Sequence, residues 1–318
     1  MDRNLALELV RATEAAALAA ARWMGKGDAV AADAAAVEAM HRALNATPFV
    51  GTVALGEGNR DNHPYLYDGE EVGAGGQDSF AIALDALECT RSVAFGRSNA
   101  MSAIAIAPRS DFYEPECDYV SKLAVGPEAA GAVSLNNSVE ENLALVARAK
   151  GFAVRDLTVV MLDRERHQEL IKSVRAAGAR LLLIPDGDVA AAIACAMPGT
   201  GIDMLLGTGG TTAGVLAAAA LRCLGGEIQV RRAPDNQPEW QPAVEQDRPL
   251  KSRIYRTADL VRGNNVMFAA TGITDGDVLN GVCYRPGGAT THSLVMRLKT
   301  KTRRFIVTEH FFDDNPEF

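Results

Sequence analysis

The stretch from residue 79 to residue 90, Ser-Phe-Ala-Ile-Ala-Leu-Asp-Ala-Leu-Glu-Cys-Thr, joins an apolar run to a group of polar side chains. Residues 79–84 predict a short buried strand. Asp85, Glu88 and Thr90 follow it, and a tight turn would bring their two carboxylates and one hydroxyl together. Carboxylates can bind divalent cations, and a hydroxyl can position a water for attack. The stretch therefore predicts a metal-assisted reaction centre at a strand end.

Three other segments place acidic residues beside glycine or near a strand end: Asp28 and Asp33, Gly56-Glu57-Gly58 with Asp61, and Asp186-Gly187-Asp188. Hard cations such as Mg²⁺ and Mn²⁺ prefer carboxylate oxygens, and a two-metal site needs several of them from different loops. Each segment alone also fits a turn or a helix cap, because Asp and Gly are common there. Together the segments indicate a carboxylate-rich site.

The middle of the chain alternates between strand and helix periods. Helical patterns cover 139–149, 164–177, 189–197 and 212–224, and strand patterns cover 157–162, 180–184 and 203–206. This alternation predicts βαβ units and a mostly parallel sheet. Elsewhere we predict helices at 5–24 and from about Asp33 to Leu44, strands at 49–55, 100–107, 266–271, 293–298 and 304–310, and a surface loop at 231–250.

Composition restricts the class of protein. A chain of 318 residues with 48% apolar and 23% charged residues is typical of a globular protein with a substantial core. Its net charge of −8 argues against a nucleic-acid partner, which requires a basic face. The sequence predicts neither a signal peptide nor a membrane span. Five scattered cysteines without a CxxC pair favour reduced thiols, so we expect a cytoplasmic protein with no membrane partner.

The motif at 85–90 resembles the Asp-Pro-(Ile/Leu)-Glu-Gly-Thr sequence of class II fructose-1,6-bisphosphatases and, more loosely, that of the lithium-sensitive phosphatases. The resemblance extends in order over nearly the whole chain, through GDAVAADAAAVEAM, ALGEG, DYVSKLAVGP, IPDGDVAA, the GTGG loop and MFAATGITDGD. It implies a layered αβαβα sugar-phosphatase fold with mixed and mostly parallel sheets. It also implies one functional unit over 1–318, with a metal-binding half at 1–135 and a phosphosugar-binding half at 136–318.

The resemblance also implies a role for each matching residue. Metal ligands for Mg²⁺ or Mn²⁺ would be Asp33, Glu57, Asp85 and Glu88. Catalytic residues would be Thr90, which orients the attacking water, and Asp61 beside it. The sugar phosphate would contact Glu88, Thr90, Tyr119, Arg164, Arg166, Asp186, Asp188 and Gly210. Family members are usually homo-oligomers, so a dimer or tetramer is expected.

The chemistry of the phosphosugar residues agrees with these roles, but each residue also has a structural interpretation. Paired guanidinium groups bind phosphate oxygens, yet Arg164 and Arg166 also fit solvated residues at a helix start. Tyr119 fits a half-buried aromatic residue, and Asp186-Gly187-Asp188 fits a helix N-cap. The glycine-rich GTGG segment can offer N–H groups to an anion or form an ordinary turn. The sequence leaves both interpretations open.

Several expected residues are replaced. Asn59 stands where the family has the second glutamate of Gly-Glu-Gly-Glu, and Ala29 where it has the lysine of Gly-Asp-Lys-Asn. Ala213 stands where it has the glutamate of Gly-Gly-Ala-Pro-Glu-Gly, a metal ligand in the family. In the central motif, Ala86 replaces proline and Cys89 replaces glycine. Losing a positioned acid–base group costs about 10²–10⁴-fold in rate.

Three hypotheses for the function follow. The first is a metal-dependent sugar-phosphate phosphatase, because the four predicted metal ligands survive together and would repel one another without a cation. The second is a non-catalytic sugar-phosphate-binding or regulatory paralogue, which Ala29, Asn59 and Ala213 favour. The third is a phosphosugar enzyme of different chemistry, which no residue positively supports.

Overall fold

The computed structural model describes residues 5–58, 64–76, 79–113, 117–233 and 253–312. The chain forms two compact units. The first contains Met1–Phe112 and Gly263–Phe318, and the second contains Tyr113–Arg262. These units divide the chain at other positions than the halves at 1–135 and 136–318, whose functional meaning stays a prediction.

The first unit is built on an eight-stranded sheet. Its helices are α1 (Leu5–Ala21), α2 (Ala29–Asn45) and α3 (Thr90–Ala94), and its strands are β1 (Val50–Leu55), β2 (Glu71–Val72), β3 (Ser79–Glu88), β4 (Met101–Ala107), β11 (Met267–Gly272), β12 (Cys283–Arg285), β13 (Gly288–Arg297) and β14 (Thr302–Phe311). The strand order is β2-β1-β3-β4-β11-β13, with both β12 and β14 paired with β13. Among these described strands, only β1 and β3 pair in parallel.

The core of the first unit lies where α1 and α2 pack on the sheet. Ala12, Ala16 and Ala20 of α1 are fully buried, and such small side chains let the helix lie close to its neighbours. Ile82 and Leu84 of β3 fill the same core from the sheet side. The packing therefore fixes the position of β3, which carries the central motif.

The second unit contains a six-stranded sheet with the order β10-β9-β5-β8-β6-β7. Its strands are β5 (Tyr119–Val125), β6 (Thr158–Leu162), β7 (Arg180–Ile184), β8 (Met204–Gly210), β9 (Glu227–Arg232) and β10 (Tyr255–Arg256), and its helices are α4 (Val139–Lys150), α5 (Gln168–Ala176), α6 (Asp188–Cys195), α7 (Thr211–Leu224) and α8 (Thr257–Leu260). Strand β6 runs parallel to β7 and β8, whereas the other pairs described in this sheet are antiparallel.

Helices cover both faces of the second sheet. Leu123 and Val125 of β5 lie in a core shared with α4 and α5. The alternate residues Val120 and Lys122 lie against Gly214 of α7, which packs on α6. Because side chains alternate along a strand, α4 and α5 cover one face and the α6–α7 pair covers the other. The second unit is therefore an α/β/α sandwich.

The predicted α/β class, with helices layered on mixed sheets, is confirmed. Parallel pairing, which we expected to predominate, is limited to three strand pairs among the described strands. In the first sheet, every described pair except β1–β3 is antiparallel. In the second sheet the difference comes from β5 and β9, which the sequence analysis did not predict and which pair antiparallel with their neighbours. Both strands bury polar side chains, among them Lys122 and Gln229, which obscure the strand pattern.

Helix α2 begins at Ala29, earlier than the predicted start near Asp33. The cause is Asp28, whose Oδ1 accepts a hydrogen bond from the Ala31 N–H at 2.9 Å and so caps the helix. Asp28 is therefore a cap, and Asp33 lies inside α2.

Two further features concern the cysteines and the hydropathy of the helices. All five cysteines are free thiols, and burial raises the pKa of Cys195. Within the described ranges, no helix is both long enough and apolar enough to cross a membrane.

Candidate active site

Carboxylates gather in the first unit where β1 and β3 end. The two strands are parallel, so the segments that follow them lie at the same edge of the sheet. Glu57 follows β1, and its Oε1 accepts a hydrogen bond from the Ala86 N–H at 3.0 Å. This bond joins the Gly56-Glu57-Gly58 loop to the end of β3.

The pKa of Glu57 is raised both by burial and by the acidic residues around it. Burial is the largest cause that raises this pKa to about 8, and the negative charge of Asp85 is the next. Asp33 and Asp68 raise it further, while the Ala86 N–H lowers it. Three predicted metal ligands, Asp33, Glu57 and Asp85, are thus close enough to influence one another electrostatically.

Two glycines shape the loop that carries Glu57. A Cβ on Gly56 would lie 2.1 Å from the carbonyl oxygen of Leu66, so no larger residue fits there. Gly58 has a φ of +101°, which L-residues with side chains rarely adopt. The backbone of the loop therefore requires glycine at both positions, independently of any catalytic role.

Asp68 is a neighbour of the site that the sequence analysis missed. Its Oδ1 accepts a hydrogen bond from the Gly56 N–H at 2.7 Å. It lies in an exposed loop rather than at a strand end, so no pattern singled it out. Asn59 and Asp61 lie outside the described residues, and the role of Asp61 stays a prediction.

The central motif is a bulged strand end rather than the predicted tight turn. Between Asp85 and Glu88, β3 carries one residue more than its partner β4. A bulge of this kind changes the direction of the side chains around it. Cys89 then adopts a φ of +75° and leads into α3, which begins at Thr90. Glu88 is buried, whereas Asp85 and Thr90 are half-buried.

The carboxylate oxygens around the ends of β1 and β3 are ligands that suit a hard divalent cation. Among the residues that the structure describes, no three acidic, histidine or cysteine side chains lie close enough to enclose one ion. Mg²⁺ commonly takes one or two carboxylates and keeps several waters, so the arrangement fits ions that are only partly coordinated by protein. The repulsion around Glu57 is the feature that a bound cation would relieve.

We expect Glu57→Gln to stabilise the metal-free protein at alkaline pH. The pKa of Glu57 is raised from 4.5 to about 8, so its stabilising effect is fully present below 4.5 and is lost as the pH rises through 8. Glutamine removes the charge and keeps an acceptor for the Ala86 N–H. In chelator at pH 9, the variant should melt several degrees higher, an effect on the order of 1–3 kcal/mol.

Thermal melts of both proteins at pH 5 and pH 9 measure this effect, and at pH 5 the difference should largely vanish. Glu71→Gln, which changes an exposed carboxylate of β2, is the matched control and should leave the melting temperature unchanged. A variant that melts lower than the wild type at pH 9 in chelator would show that a charged Glu57 does not destabilise the metal-free protein.

In the second unit, the predicted phosphosugar residues lie at one edge of the sheet. Strands β6, β7 and β8 are parallel, and the residues of interest lie at or just after their carboxyl ends: Arg164 and Arg166, Asp186 and Asp188, and Gly210. Tyr119 begins the antiparallel strand β5 and lies directly opposite Gly210. The sheet thus brings all six residues to the edge where open α/β sheets bind ligands.

The two arginines are half-buried, and each donates a hydrogen bond to a backbone carbonyl. Arg164 donates to the carbonyl oxygen of Pro185 at 2.7 Å, and Arg166 donates to that of Thr208 at 3.0 Å. The Arg166 guanidinium also lies over the Tyr119 ring, 5.7 Å from its centroid. These contacts orient both guanidinium groups, whose planar N–H donors match the oxygens of a phosphate or carboxylate.

Asp188 does not act as a helix cap. Gly187 occupies the N-cap position with a φ of +98°, and Asp188 is the first residue of α6. Its carboxylate pairs with Lys122 at 2.5 Å, and the two side chains are only 12% and 3% exposed. A Cβ on Gly209 would lie 2.2 Å from the same carboxylate oxygen, so a glycine is required beside the pair. Sequence reasoning missed Lys122.

His167 is a second missed residue. It is 1% exposed and joins the ends of β6 and β8. Its Nδ1 is 2.7 Å from the carbonyl oxygen of Leu162, and its Nε2 accepts the Thr208 N–H at 2.8 Å. These partners require the neutral tautomer with hydrogen on Nδ1. Both ring nitrogens are engaged, so we interpret His167 as a positioning residue beneath the edge.

Helix α7 begins directly after Gly210, its N-cap. Ala213 lies half-buried in the first turn of this helix, where the family glutamate is expected. The methyl group supplies no metal ligand, so one of the coordinating groups expected for the family is missing from this chain.

Comparison with known proteins identifies the family. The sequence profile described as "Bacterial fructose-1,6-bisphosphatase, glpX-encoded" matches residues 3–310. A protein of Synechococcus sp. (strain JA-3-3Ab), named "D-fructose 1,6-bisphosphatase class 2/sedoheptulose 1,7-bisphosphatase", is 43% identical, and the alignment covers 98% of this chain and 97% of that protein. This chain belongs to the class 2 fructose-1,6-bisphosphatase family. A second relative, "Fructose-1,6-bisphosphatase class 2" of Haemophilus influenzae, is 41% identical over 99% of this chain and 98% of its own.

Family membership gives the conformation of Cys89 a meaning. The class 2 motif has glycine at this position, and the φ of +75° observed here is one that glycine adopts without steric cost. A non-glycine residue in this region costs about 1–2 kcal/mol. The chain has thus kept the backbone turn into α3 while replacing the residue that favours it.

Proposed function

We propose that this chain hydrolyses a phosphate ester of a sugar bisphosphate in the presence of Mg²⁺ or Mn²⁺. Membership of the class 2 family over nearly the whole chain carries the proposal. The relatives' names point to fructose 1,6-bisphosphate or sedoheptulose 1,7-bisphosphate as substrates. The carboxylates around Glu57 support it from the chemistry of the site.

The first unit would supply the metal ligands Asp33, Glu57, Asp85 and Glu88. Bound divalent cations polarise a phosphoester and lower the pKa of a bound water. Thr90, at the start of α3, would hold the attacking water through its hydroxyl and contact the substrate together with Glu88. Asp61, which lies outside the described residues, would help Thr90 to orient that water.

The second unit would bind the sugar phosphate. Arg164 and Arg166 would hold the phosphate that is not cleaved, since backbone carbonyls orient both guanidinium groups and such groups bind phosphate oxygens. Asp186 and Asp188 would accept hydrogen bonds from sugar hydroxyls. The Tyr119 ring and the backbone of Gly210, opposite one another in the sheet, would complete the site.

Phosphate release from a panel of sugar mono- and bisphosphates, with Mg²⁺, with Mn²⁺ and with chelator, tests the proposal. We expect release that requires a divalent cation and that is fastest with one of the two bisphosphates. Release that persists in chelator would contradict metal dependence. No release from any sugar, at protein concentrations of the order of the substrate, would exclude the phosphatase.

A sugar-phosphate-binding or regulatory paralogue is the second candidate, and Ala213 in the first turn of α7 favours it. Calorimetric binding of the bisphosphates without phosphate release would support it. An altered sugar with its phosphates intact would instead indicate a phosphosugar enzyme of different chemistry. We also propose a cytoplasmic homo-oligomer, a dimer or tetramer, with no nucleic-acid or membrane partner.

A further inference from the structure

Strand β14 forms an outer border of the first sheet. It pairs with β13 over its entire length, from Thr302 opposite Arg297 to Phe311 opposite Gly288, without a shift in register. Among the described strands, β13 is its one neighbour. A long regular edge strand presents a row of backbone groups that another strand can pair with.

The outward face of β14 is apolar in its centre. Phe305, Val307 and Phe311 point to this face and are 54%, 64% and 68% exposed. The alternate residue Ile306 packs against the core of the first unit, so the register of the strand is fixed. Proteins commonly protect edge strands with proline, lysine or a bulge, and the stretch from Phe305 to Phe311 contains none of these.

The outward residues of β14 are complementary to themselves in the antiparallel direction. From residue 303 to residue 309 they read Arg303, Phe305, Val307 and Glu309: a cation, two apolar side chains and an anion. Phe311 follows them at the end of the strand, beyond the four residues that pair with one another. If two copies meet with Ile306 opposite Ile306, Arg303 of each faces Glu309 of the other, and Phe305 faces Val307. Shifting the centre to Val307 would instead place Phe305 opposite Glu309.

We propose that β14 pairs antiparallel with β14 of a second copy of this chain, about a two-fold axis at Ile306. The contact is isologous: where residue i of one copy faces residue j of the other, residue j of the first copy also faces residue i of the second. It joins the two sheets into one continuous sheet. The charged groups need little desolvation: Glu309 is 59% exposed and lies 3.3 Å from Arg285, and Arg303 lies over the Phe305 ring at 5.9 Å. This interface goes beyond the proposed reaction and does not depend on it.

Charge exchange tests the pairing and its register in one experiment. Sedimentation velocity across a range of concentrations should show that Arg303→Glu and Glu309→Arg each weaken self-association by about tenfold or more, since each places like charges opposite one another twice in the dimer. The double variant Arg303→Glu/Glu309→Arg should restore the wild-type dissociation constant. Arg304→Glu, one residue along on the other face of the strand, is the control and should leave association unchanged.

Hydrogen exchange of the wild-type protein gives a second measurement that depends on no variant. Backbone amides of β14 should become more protected as the protein concentration rises through the dissociation constant. A monomer at all concentrations, an oligomer that both single variants leave intact, or a double variant that fails to reassociate would each overturn the proposal. Concentration-independent exchange in β14 would do the same.

Discussion

Replacing Asp85 with asparagine is expected to lower metal-dependent phosphate release from the preferred sugar bisphosphate by about 10²-fold or more. Mutating a residue that only orients a metal ligand typically lowers activity by about 10–100-fold. Asp85 is itself a predicted ligand. The change keeps the size of the side chain and removes the charge that raises the pKa of Glu57. It therefore acts on the acidity of the cluster with little change in packing.

Initial rates over a range of Mg²⁺ and Mn²⁺ concentrations measure the effect and separate its causes. A weakened metal site should be partly rescued by more metal, whereas loss of a group needed in the transition state should persist at saturation. Asp28→Asn is the matched control, because Asp28 caps α2 and asparagine caps helices about equally well. Asp85→Asn with wild-type rates would exclude this cluster as the reaction centre.

The candidate site of the first unit could be proposed from the sequence because its signal is local. Asp85, Glu88 and Thr90 lie within six residues, and the parallel pairing of β1 with β3 brings the ends of these two strands to the same edge of the sheet. The structure differs from the prediction in two local details. Asp28 starts α2 earlier through its cap, and the bulge between Asp85 and Glu88 replaces the predicted turn.

The second unit was harder to predict because two of its strands bury polar residues. In β9, Gln229 is fully buried and is satisfied by the carbonyl of Val133 and the N–H of Leu135, contacts that lie over 90 residues away in the chain. A strand pattern read from hydrophobicity does not recognise a polar residue whose partners are this distant. The same reason hid β5, whose Lys122 finds its partner on α6.

The buried Lys122–Asp188 pair leads to the second large expected effect, on stability. Lys122→Met should lower the free energy of unfolding by about 3 kcal/mol, because it leaves the buried Asp188 carboxylate without its cation. This is the lower end of the usual range, since the positive end of α6 still faces the carboxylate at its first residue. The melting temperature should fall by about 5–10 °C.

Thermal and urea unfolding measure this loss of stability. Two further variants serve as an exposed-pair control and as a rescue. Lys172→Met breaks an exposed pair of α5, with side chains 69% and 86% exposed, and should cost less than about 1 kcal/mol. The double variant Lys122→Met/Asp188→Leu should recover much of the lost stability, because no charge remains buried. Its affinity for sugar bisphosphate should remain below that of the wild type, because the proposed hydrogen-bond acceptor at Asp188 is absent. If Lys122→Met instead melts within a degree of the wild type, the Asp188 carboxylate is solvated enough to be stable without a cation beside it, and Lys122 has no structural role at the proposed sugar-binding edge.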